Sequence, residues 1–407
     1  MLQTDILNPL TEAYRQNPYP SLKSQRDRAF IEWSPIFCAW VTSDYTTIGS
    51  ILKDDRFSAK RIDTLFARLP EEVNQEMLEI KTIMKTWSLM LDPPEHDRFR
   101  TILNDAFSSR WIKSLECTIQ EMVEDLLSKV ENKKDFDFVK AIAYPLPAMV
   151  IANILGVTHD KMDWFKKLSK DIACVFNLSS RPEPDIAITA QMAIRELHAY
   201  LEVVLSKKEL EGDDDLMSEL LRREQVGEIS REESKATLSM LLLAGHETTT
   251  QLLANGLLCF AREPESFQIL KDNPNLMTTS IEEVLRFESP VQLTSRVCRE
   301  PLEIAGQAIQ TDQRVMMFLG GANRDDKFFD EPDLFDISRR PNKHLAFGAG
   351  RHYCVGAVLA RLEAKIVFQT LCEQYDQVIH LEESPSWHTD VAFRSLNHLR
   401  LSLMTYN

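Results

Sequence analysis

The sequence predicts a mainly α-helical protein with small β-sheets, folded as a single large domain over residues 1–407. Glycine occurs only 12 times in 407 residues, about 3% against an average near 7%, so few tight turns are available. Apolar residues recur with helical spacing over long stretches. We find no repeat, low-complexity tract or linker rich in Gly and Ser, which favours one domain over several small ones.

The helical spacing and the strand signals are clear enough to place the main elements. The helical pattern covers residues 115–130, 141–155, 190–207, 230–262 and 354–374. β-Branched and apolar residues between turn signals predict strands at 36–42, 291–297, 301–317 and 396–404. Strands are therefore the minority of the fold.

Composition excludes several classes of protein. The 47 basic and 62 acidic residues give a net charge of −15, which repels phosphate backbones and argues against nucleic acid as the main partner. No run approaches the roughly 18 apolar residues that span a bilayer, so we expect no membrane span. The first five residues lack the features of a secretory signal, which predicts a cytoplasmic protein. The 7 cysteines are scattered, which disfavours a disulfide framework and a zinc ribbon.

The stretch 230–262 has well-defined helix ends and an unusual centre. Ser230 and Glu233 have the spacing of a capping box, and Pro264 follows the last helical residues. The middle is apolar nearly all round, which predicts burial on every side. Residues 244–250 interrupt it with the sequence Ala-Gly-His-Glu-Thr-Thr-Thr. Because buried acids and hydroxyls are expensive, this interruption indicates a functional segment.

A glycine-rich segment before the last helical pattern contains one cysteine. Residues 347–356 read Phe-Gly-Ala-Gly-Arg-His-Tyr-Cys-Val-Gly. Cys354 is expected near a helix N-terminus, where the dipole and the unpaired N–H groups stabilise a thiolate that can bind a metal. The alternative is that Cys354 is an ordinary small buried residue.

This segment resembles the haem-binding loop of the cytochrome P450 family, because Phe-Gly-x-Gly-x-His-x-Cys-x-Gly is followed by Ala-x-x-Leu-Ala-Arg. The resemblance implies that Cys354 is the proximal ligand of haem b iron. It also implies that His352 bonds a haem propionate and that Phe347 packs beside the sulfur. Gly348 and the two later glycines of the segment would let the backbone approach the porphyrin.

A second similarity is the pair Glu283 and Arg286 at helical i, i+3 spacing. Alone, such a pair is an ordinary surface ion pair of small energetic value. The pair precedes the cysteine segment, and Arg339 lies between the two in the sequence. This order is similar to that of the buried Glu-Arg-Arg network of the family. The resemblance implies a structural role, in which these three residues hold the cysteine segment.

The interruption at 244–250 resembles the oxygen-activation motif of the same family. Ala244 and Gly245 would leave space for O₂, while Thr248 and Glu247 would deliver the protons that O–O cleavage requires. The alternative is that the hydroxyl bonds back to a carbonyl one turn earlier and that the acid pairs with His246 or a distant base.

Three further residues match propionate contacts of the family. His96 and Arg100 lie at i, i+4 on a predicted helix, and Arg296 follows the helix that carries the Glu283 pair. Together with His352, they would balance two propionates in a site of low dielectric constant.

The substrate and the electron supply follow from the resemblance. Family position predicts a pocket lined by Phe66, Met84, Trp87, Met240, Leu243, Val291, Gln292 and Phe393. These residues are mostly apolar, which predicts a moderately large apolar substrate. Such stripes are also typical of plain core. Similarity to the bacterial macrolide and polyketide tailoring members of the family implies a polyketide or macrolide.

Because no flavin or nicotinamide fingerprint is present, electrons from NAD(P)H are expected through a ferredoxin or flavodoxin with its reductase. Arg340, Lys343, Arg351 and Lys113 are candidates for steering it; the alternative is a scatter of solvated charges.

The resemblance predicts a monooxygenase that hydroxylates or epoxidises its substrate. Two other interpretations stay open: a peroxide-using or rearranging haem-thiolate enzyme, and a haem-binding sensor without turnover.

Overall fold

The structure, a computed structural model, describes residues 7–67, 69–131, 133–157, 161–179, 183–209 and 215–405. The chain divides into two compact units. Unit 1 combines Met1–Phe57, Glu116–Leu146 and Thr248–Asn407, and unit 2 combines Ser58–Leu115 and Pro147–Glu247. The single domain expected from the sequence stays a prediction.

Helices dominate both units, as the scarcity of glycine predicts. Unit 1 contains α1 Glu12–Gln16, α2 Tyr19–Arg28, α3 Tyr45–Ile51, α9 Glu116–Ser128, α15 Pro264–Asp272, α16 Met277–Phe287, α17 Leu319–Ala322 and α18 Ala357–Gln374. Unit 2 contains α4 Ile62–Phe66, α5 Glu71–Glu76, α6 Leu78–Lys85, α7 Glu95–Ala106, α8 Ser109–Ser114, α11 Met162–Ala173, α12 Pro184–Lys208 and α13 Leu216–Gln225. The helices α10 Pro145–Ile154 and α14 Arg231–Arg262 each include residues of both units.

The strands are short and form small sheets in unit 1. They are β1 Glu32–Ser34, β2 Ala39–Thr42, β3 Phe57–Ser58, β4 Phe136–Asp137, β5 Leu293–Cys298, β6 Leu302–Ile304, β7 Gln307–Ile309, β8 Arg314–Phe318, β9 Gln377–His380, β10 Ser386–Trp387, β11 Leu396–His398 and β12 Arg400–Met404. In the largest sheet β1, β2, β8 and β5 are neighbours in that order, with β2 parallel and β5 antiparallel to β8. Smaller sheets have the orders β4-β12-β9, β6-β7 and β10-β11.

The predicted helices are confirmed with corrections at their ends, and the predicted strands are confirmed in part. The predicted strand 396–404 is two strands, β11 and β12, which pair in different sheets. The last long helix begins at Ala357, not at Cys354, because the glycine-rich segment closes as a loop with a 3₁₀ turn at Gly350–His352. The predicted strand 301–317 is three strands. Ala305 and Gly306, both at positive φ (50° and 78°), form the tight turn between β6 and β7.

The ends of α14 follow the predicted signals. The Ser230 N–H donates to Glu233 Oε2 at 2.8 Å, and the Glu233 N–H donates to Ser230 Oγ at 3.3 Å, so the capping box is confirmed. The helix ends at Arg262, before Pro264. Its leucines are buried.

Each unit has its own apolar core. In unit 1, Phe37, Met316 and Phe318 pack in one cluster across the largest sheet. In unit 2, Phe99 and Phe165 are fully buried on α7 and α11. Within the described ranges, no helix combines the length and the apolar character needed to cross a membrane.

Candidate active site

The cysteine loop, residues Phe347–Gly356, is closed by backbone hydrogen bonds. The Cys354 N–H donates to the Phe347 carbonyl at 3.0 Å, and the Tyr353 N–H donates to the Gly350 carbonyl at 3.1 Å. Cys354 is exposed and forms no disulfide. It stands three residues before the first residue of α18, so its expected position near a helix N-terminus is confirmed. The loop therefore holds a sulfur in a defined place at the protein surface.

The glycines of the loop are needed for two different reasons. Gly348 has φ +70° and space around it, so its conformation is what excludes other residues. Gly350 has φ +69°, and a Cβ there would also lie 2.6 Å from the Leu52 carbonyl oxygen. Gly350 therefore lies close to the protein backbone at Leu52. The sequence alone did not reveal this packing contact.

The structure brings Glu283, Arg286 and Arg339 together in unit 1. Arg286 forms two hydrogen bonds with the Glu283 carboxylate, at 2.8 and 2.7 Å, and both residues are fully buried. Arg339 Nε donates to the same carboxylate at 3.3 Å. Arg286 also donates to the carbonyls of Asn323 and Pro332. These bonds tie α16 to the chain segment that leads into the cysteine loop.

A second network on α16 was missed from the sequence. Glu282, the neighbour of Glu283, accepts two hydrogen bonds from Arg361 at 2.6 and 2.8 Å and lies 3.0 Å from His344 Nε2. Burial raises the pKa of Glu282, but hydrogen bonds from Arg361 and His344 outweigh it and lower the pKa to about 2. Arg361 belongs to the Ala-Arg pair that follows the cysteine, which was the one available signal.

The segment 244–250, which is predicted to serve oxygen activation, includes accessible residues in the middle of a buried helix. Ala244 is exposed and Glu247 and Thr248 are half-buried, whereas Leu242 and Leu252 are buried. The helix surface therefore opens where the small and polar residues lie. The fully buried His246 bonds Ser169 through Nδ1, at 3.0 Å.

Gly245 has a packing role within unit 2. A Cβ at this position would come within 2.5 Å of the Ile151 side chain. The absence of a side chain therefore allows α14 to approach α10 closely, in addition to any space it leaves for O₂.

The predicted propionate contacts are distributed over both units. Arg296 lies on β5 with only 4% of its surface exposed, and it donates to the Ser295 carbonyl. His352 is half-buried in the 3₁₀ turn of the cysteine loop. In unit 2, His96 is buried on α7 with Nδ1 3.2 Å from Asp97 Oδ1, and Arg100 is half-buried one turn later.

Two of the predicted pocket residues in unit 1 are neighbours. Val291 and Phe393 form an isolated antiparallel bridge, and both are half-buried. Gln292 is 4% exposed; its amide nitrogen donates to the Ser289 carbonyl at 2.7 Å, and its oxygen packs against Gly320. The polar end of Gln292 therefore faces the interior of unit 1.

The predicted pocket residues of unit 2 are part of its core. Phe66, Met84 and Trp87 have no exposed surface, and Met240 and Leu243 are 5% exposed. Trp87 Nε1 donates to Ser239 Oγ at 3.3 Å, and Ser88 Oγ lies 3.3 Å from Met240 Sδ. The structure thus brings Trp87 close to α14. The role of these residues in a pocket stays a prediction.

The residues of the cysteine loop fit a haem group. The loop offers one exposed sulfur, and its backbone is held by bonds on both sides of the cysteine. Arg296 supplies a largely buried guanidinium, the group that best binds carboxylates such as propionates. Fold and site thus have the features of a haem-thiolate protein.

Comparisons with known proteins lead to the same class. The family model described as Cytochrome P450 matches residues 42–394. The biotin biosynthesis cytochrome P450 of Bacillus subtilis (strain 168) is 34% identical over 360 residues, 88% of this chain and 89% of that protein. The polyketide biosynthesis cytochrome P450 PksS of the same organism is 29% identical and covers 98% of both chains.

A solved structure has the same fold. The crystal structure of P450BioI in complex with an acyl carrier protein that carries hexadec-9Z-enoic acid has a TM-score of 0.89 and 32% identity. It covers 96% of this chain and 100% of the other. The chain therefore belongs to the cytochrome P450 family.

Family membership settles the type of reaction and its cofactors. The protein is a cytochrome P450 monooxygenase that uses haem b, O₂ and electrons from NAD(P)H delivered by redox partners of the ferredoxin or flavodoxin type. Its substrates are small molecules.

Proposed function

We propose that this enzyme hydroxylates or epoxidises a moderately large apolar small molecule, such as a polyketide or macrolide of secondary metabolism. The observation that carries the catalytic part of the proposal is the closed cysteine loop, which presents Cys354 just before α18. PksS, a relative whose name places it in polyketide biosynthesis, supports the substrate part because it matches nearly the whole chain.

In this proposal, Cys354 holds the haem iron, and its thiolate supplies the electron density that favours O–O cleavage when the group is bound. Phe347 packs beside the sulfur, and the left-handed backbone at Gly348 shapes the loop. His352 and Arg296, both in unit 1, bind a propionate in this proposal, and the propionate roles of His96 and Arg100 in unit 2 stay sequence-based expectations. The low exposure of Arg296 supports this role, because a guanidinium shielded from water binds a carboxylate strongly.

Protons for the reaction come from two adjacent residues of α14. The Thr248 hydroxyl donates a hydrogen bond to the oxygen that is to be protonated, and the Glu247 carboxyl exchanges protons with water. Ala244, one turn before Thr248, leaves the helix surface open for O₂. The half-exposed positions of Glu247 and Thr248 support this assignment.

The substrate contacts apolar side chains in this proposal. Val291 and Phe393, which are neighbours in unit 1, are two of them. The pocket role of the buried Trp87, Met240 and Leu243 of unit 2 stays a sequence-based expectation. An apolar lining with few charges binds an apolar ligand by burial of surface. A fatty-acyl substrate is the second candidate, because the similar P450BioI structure contains hexadec-9Z-enoic acid on an acyl carrier protein.

Product analysis with ¹⁸O₂ tests the reaction and the substrate class together. The purified holoenzyme receives a surrogate redox chain and panels of polyketides, terpenes and fatty acids. We expect one ¹⁸O atom in the product from a polyketide or macrolide. Turnover of fatty acids alone would identify the second candidate, and exclusive turnover of a small charged metabolite would refute an apolar substrate.

The same experiment separates the competing reactions. Products formed with H₂O₂ and without ¹⁸O₂ incorporation would identify a peroxide-using enzyme. Rearranged products without added oxygen would identify an isomerase, and haem binding without turnover of any substrate would indicate a sensor.

Electron transfer is proposed to occur at the cationic surface around the cysteine loop. Arg340, Lys343 and Arg351 are exposed in unit 1 and form this surface, while Lys113, exposed in unit 2, stays a sequence-based candidate. Arg351 is paired with Asp55 at 3.2 Å, so it contributes less than the others. An acidic redox protein would be steered by these charges, and the supply of NAD(P)H favours the cytoplasm.

Charge reversal tests this surface. We expect Arg340→Glu combined with Lys343→Glu to slow reduction by a ferredoxin and to weaken its dependence on salt concentration. The control is Lys129→Glu. Lys129 is exposed directly after the end of α9 and is paired with Asp125. Unchanged reduction rates in the double variant would exclude this surface.

A further inference from the structure

Arg361 on α18 joins three segments around the cysteine loop. Its Nε and Nη2 bond both oxygens of Glu282 on α16. Its guanidinium carbon lies 4.5 Å from the centre of the Phe347 ring. Its Nη1 lies 3.4 Å from the Tyr353 hydroxyl and 3.3 Å from the Ala357 carbonyl. One planar group therefore contacts helix α16 and both ends of the loop.

These contacts reach the hydrogen bond that closes the loop. Phe347, whose ring stacks under Arg361, accepts the Cys354 N–H through its own carbonyl at 3.0 Å. Tyr353, which bonds Arg361 through its hydroxyl, directly precedes Cys354. A shift of Arg361 would therefore move residues on both sides of the closing bond.

His344 supports Glu282 from the other side. The Ala346 N–H donates to His344 Nδ1 at 3.2 Å, so Nδ1 is the acceptor and Nε2 carries the proton. That Nε2–H points to Glu282 Oε2 at 3.0 Å. His344 thus donates to the carboxylate, which in turn fixes the Arg361 fork.

We propose that Glu282 and Arg361 are positioning residues for Cys354, which together hold the cysteine loop so that its sulfur is presented in one orientation. This inference rests on the proposed role of Cys354 as the haem ligand. It assigns to Glu282 a function separate from that of Glu283, whose partners tie α16 to the segment before the loop.

A lysine at position 361 would keep the charge but lose the geometry. It cannot form the two parallel bonds to Glu282 and it stacks less well on Phe347, since both contacts use the planar guanidinium. If the pair acted only through net charge, Arg361→Lys would be silent. If geometry matters, this substitution disturbs the loop while the protein stays folded.

Unit 1 offers a closely matched control. Arg394 also bonds a glutamate, Glu288, at 2.8 Å, and its guanidinium lies 3.4 Å from the Trp387 ring centre. The Arg394 guanidinium also donates to the carbonyls of Arg15 and Gln16. Arg394→Lys therefore removes an arginine–glutamate bond and a stack on an aromatic ring, and among the described residues the Arg394 guanidinium bonds none of the cysteine loop.

The test compares the CO complexes of the reduced holoproteins and the reduction potential of the haem. We expect Arg361→Lys and Glu282→Gln each to lower the ratio of thiolate-type to non-thiolate CO complex by about tenfold, in line with lost partners of metal ligands. The double variant should be no worse than either single one, because both remove the same unit. The potential should shift in all three.

The control variant decides between positioning and general stability. Arg394→Lys should keep the native CO spectrum and potential even if its thermal unfolding temperature falls. Equal loss in Arg394→Lys and Arg361→Lys, a native spectrum in Arg361→Lys, or additive losses in the double variant would each overturn the inference.

The same assay separates this inference from the proposed function. Loss of the thiolate-type spectrum in Cys354→Ala, with a native spectrum in Arg361→Lys, would refute the positioning role alone. A thiolate-type spectrum in Cys354→Ala would refute the ligand assignment on which both proposals depend.

Discussion

The cysteine loop of unit 1 and the predicted substrate-binding residues of unit 2 are held by different forces. Around the loop, Glu282, Glu283, Arg286 and Arg361 form a set of directional hydrogen bonds. In unit 2, Phe66 and Met84 are held by apolar packing. Hydrogen bonds fix geometry closely, whereas apolar packing tolerates changes of similar volume.

This difference predicts two kinds of variant. Changes around the loop should affect the chemistry of every substrate alike, because they alter the haem ligand. Changes in the packed residues of unit 2 should affect which substrate is accepted and leave the haem unchanged. The following predictions test that distinction, beginning with the largest expected effect.

Cys354→Ala removes the proposed ligand and should have the largest effect. We expect turnover of every substrate to fall by at least about 100-fold, beyond the loss caused by disturbed partners of a ligand. The absorption spectrum of the CO complex and the turnover rate measure this. Cys38→Ala, which changes another exposed cysteine of unit 1, is the control. Equal effects of the two substitutions would contradict the prediction.

Thr248→Ala should reduce product formation by about 100-fold, the lower end of the usual contribution of positioned proton transfer. NAD(P)H consumption should continue, so that the yield of product per NAD(P)H falls. The adjacent Thr249 is buried and gives the control variant Thr249→Ala. A similar fall in yield in both variants would show that the effect is not specific to Thr248.

Glu282→Gln should destabilise the protein in a pH-dependent way. The pKa of Glu282 is about 2 in the folded protein and 4.5 ordinarily, so its stabilisation is present above pH 4.5 and is lost as pH falls towards 2. We expect a loss of about 1–3 kcal/mol in unfolding free energy at pH 7, shrinking below pH 4.5. Urea unfolding of the parent and the variant at pH 7 and below pH 4.5 measures this loss. A difference in unfolding free energy that does not change with pH would refute the prediction.

Glu363→Gln should have the opposite sign, although Glu363 lies two residues from Arg361. Glu363 is 1% exposed, its Oε2 has no partner among the described residues, and burial raises its pKa well above 4.5. The unfolded chain loses this proton above pH 4.5 while the folded protein keeps it, so stability falls as pH rises. We expect the variant to be about 1–3 kcal/mol more stable at pH 7 and closer to the parent at pH 4. Urea unfolding detects the change, and equal stability at pH 7 would contradict it.

Trp87→Phe should have the smallest effect and should act on specificity. It keeps a buried aromatic ring but removes the N–H that bonds Ser239, a bond with a net value of about 1 kcal/mol. We expect a change of about fivefold in the ratio of kcat/KM between two substrates, with an unchanged CO spectrum. A changed CO spectrum in Trp87→Phe would show that the packed residues of unit 2 also affect the haem, which contradicts the proposed difference from the cysteine loop.

Much of the fold and of the proposed site could be predicted from local patterns. The capping box at Ser230 and the helix end before Pro264 depend on neighbouring residues, and the structure has both. The cysteine loop was recognisable because its glycines and its cysteine are close in sequence. Its backbone bonds span at most seven residues.

Other features depended on contacts between distant residues. Glu282 and Glu283 are identical neighbours, and only their partners at positions 339 and 361 distinguish their roles. Gly350 packs against Leu52, and Gly245 packs against Ile151. Gln292, expected in the pocket, directs its amide into unit 1. No spacing rule predicts such contacts.

By itself, the sequence determined the helical character, the ends of the main elements and the residues that resemble a haem-thiolate site, because these depend on spacing along the chain. The tertiary structure decided which charged groups meet beside the cysteine loop. It also decided that Glu363 Oε2 has no partner among the described residues. The reason is physical: the energy of a buried charge depends on the groups around it, and these come from distant parts of the chain.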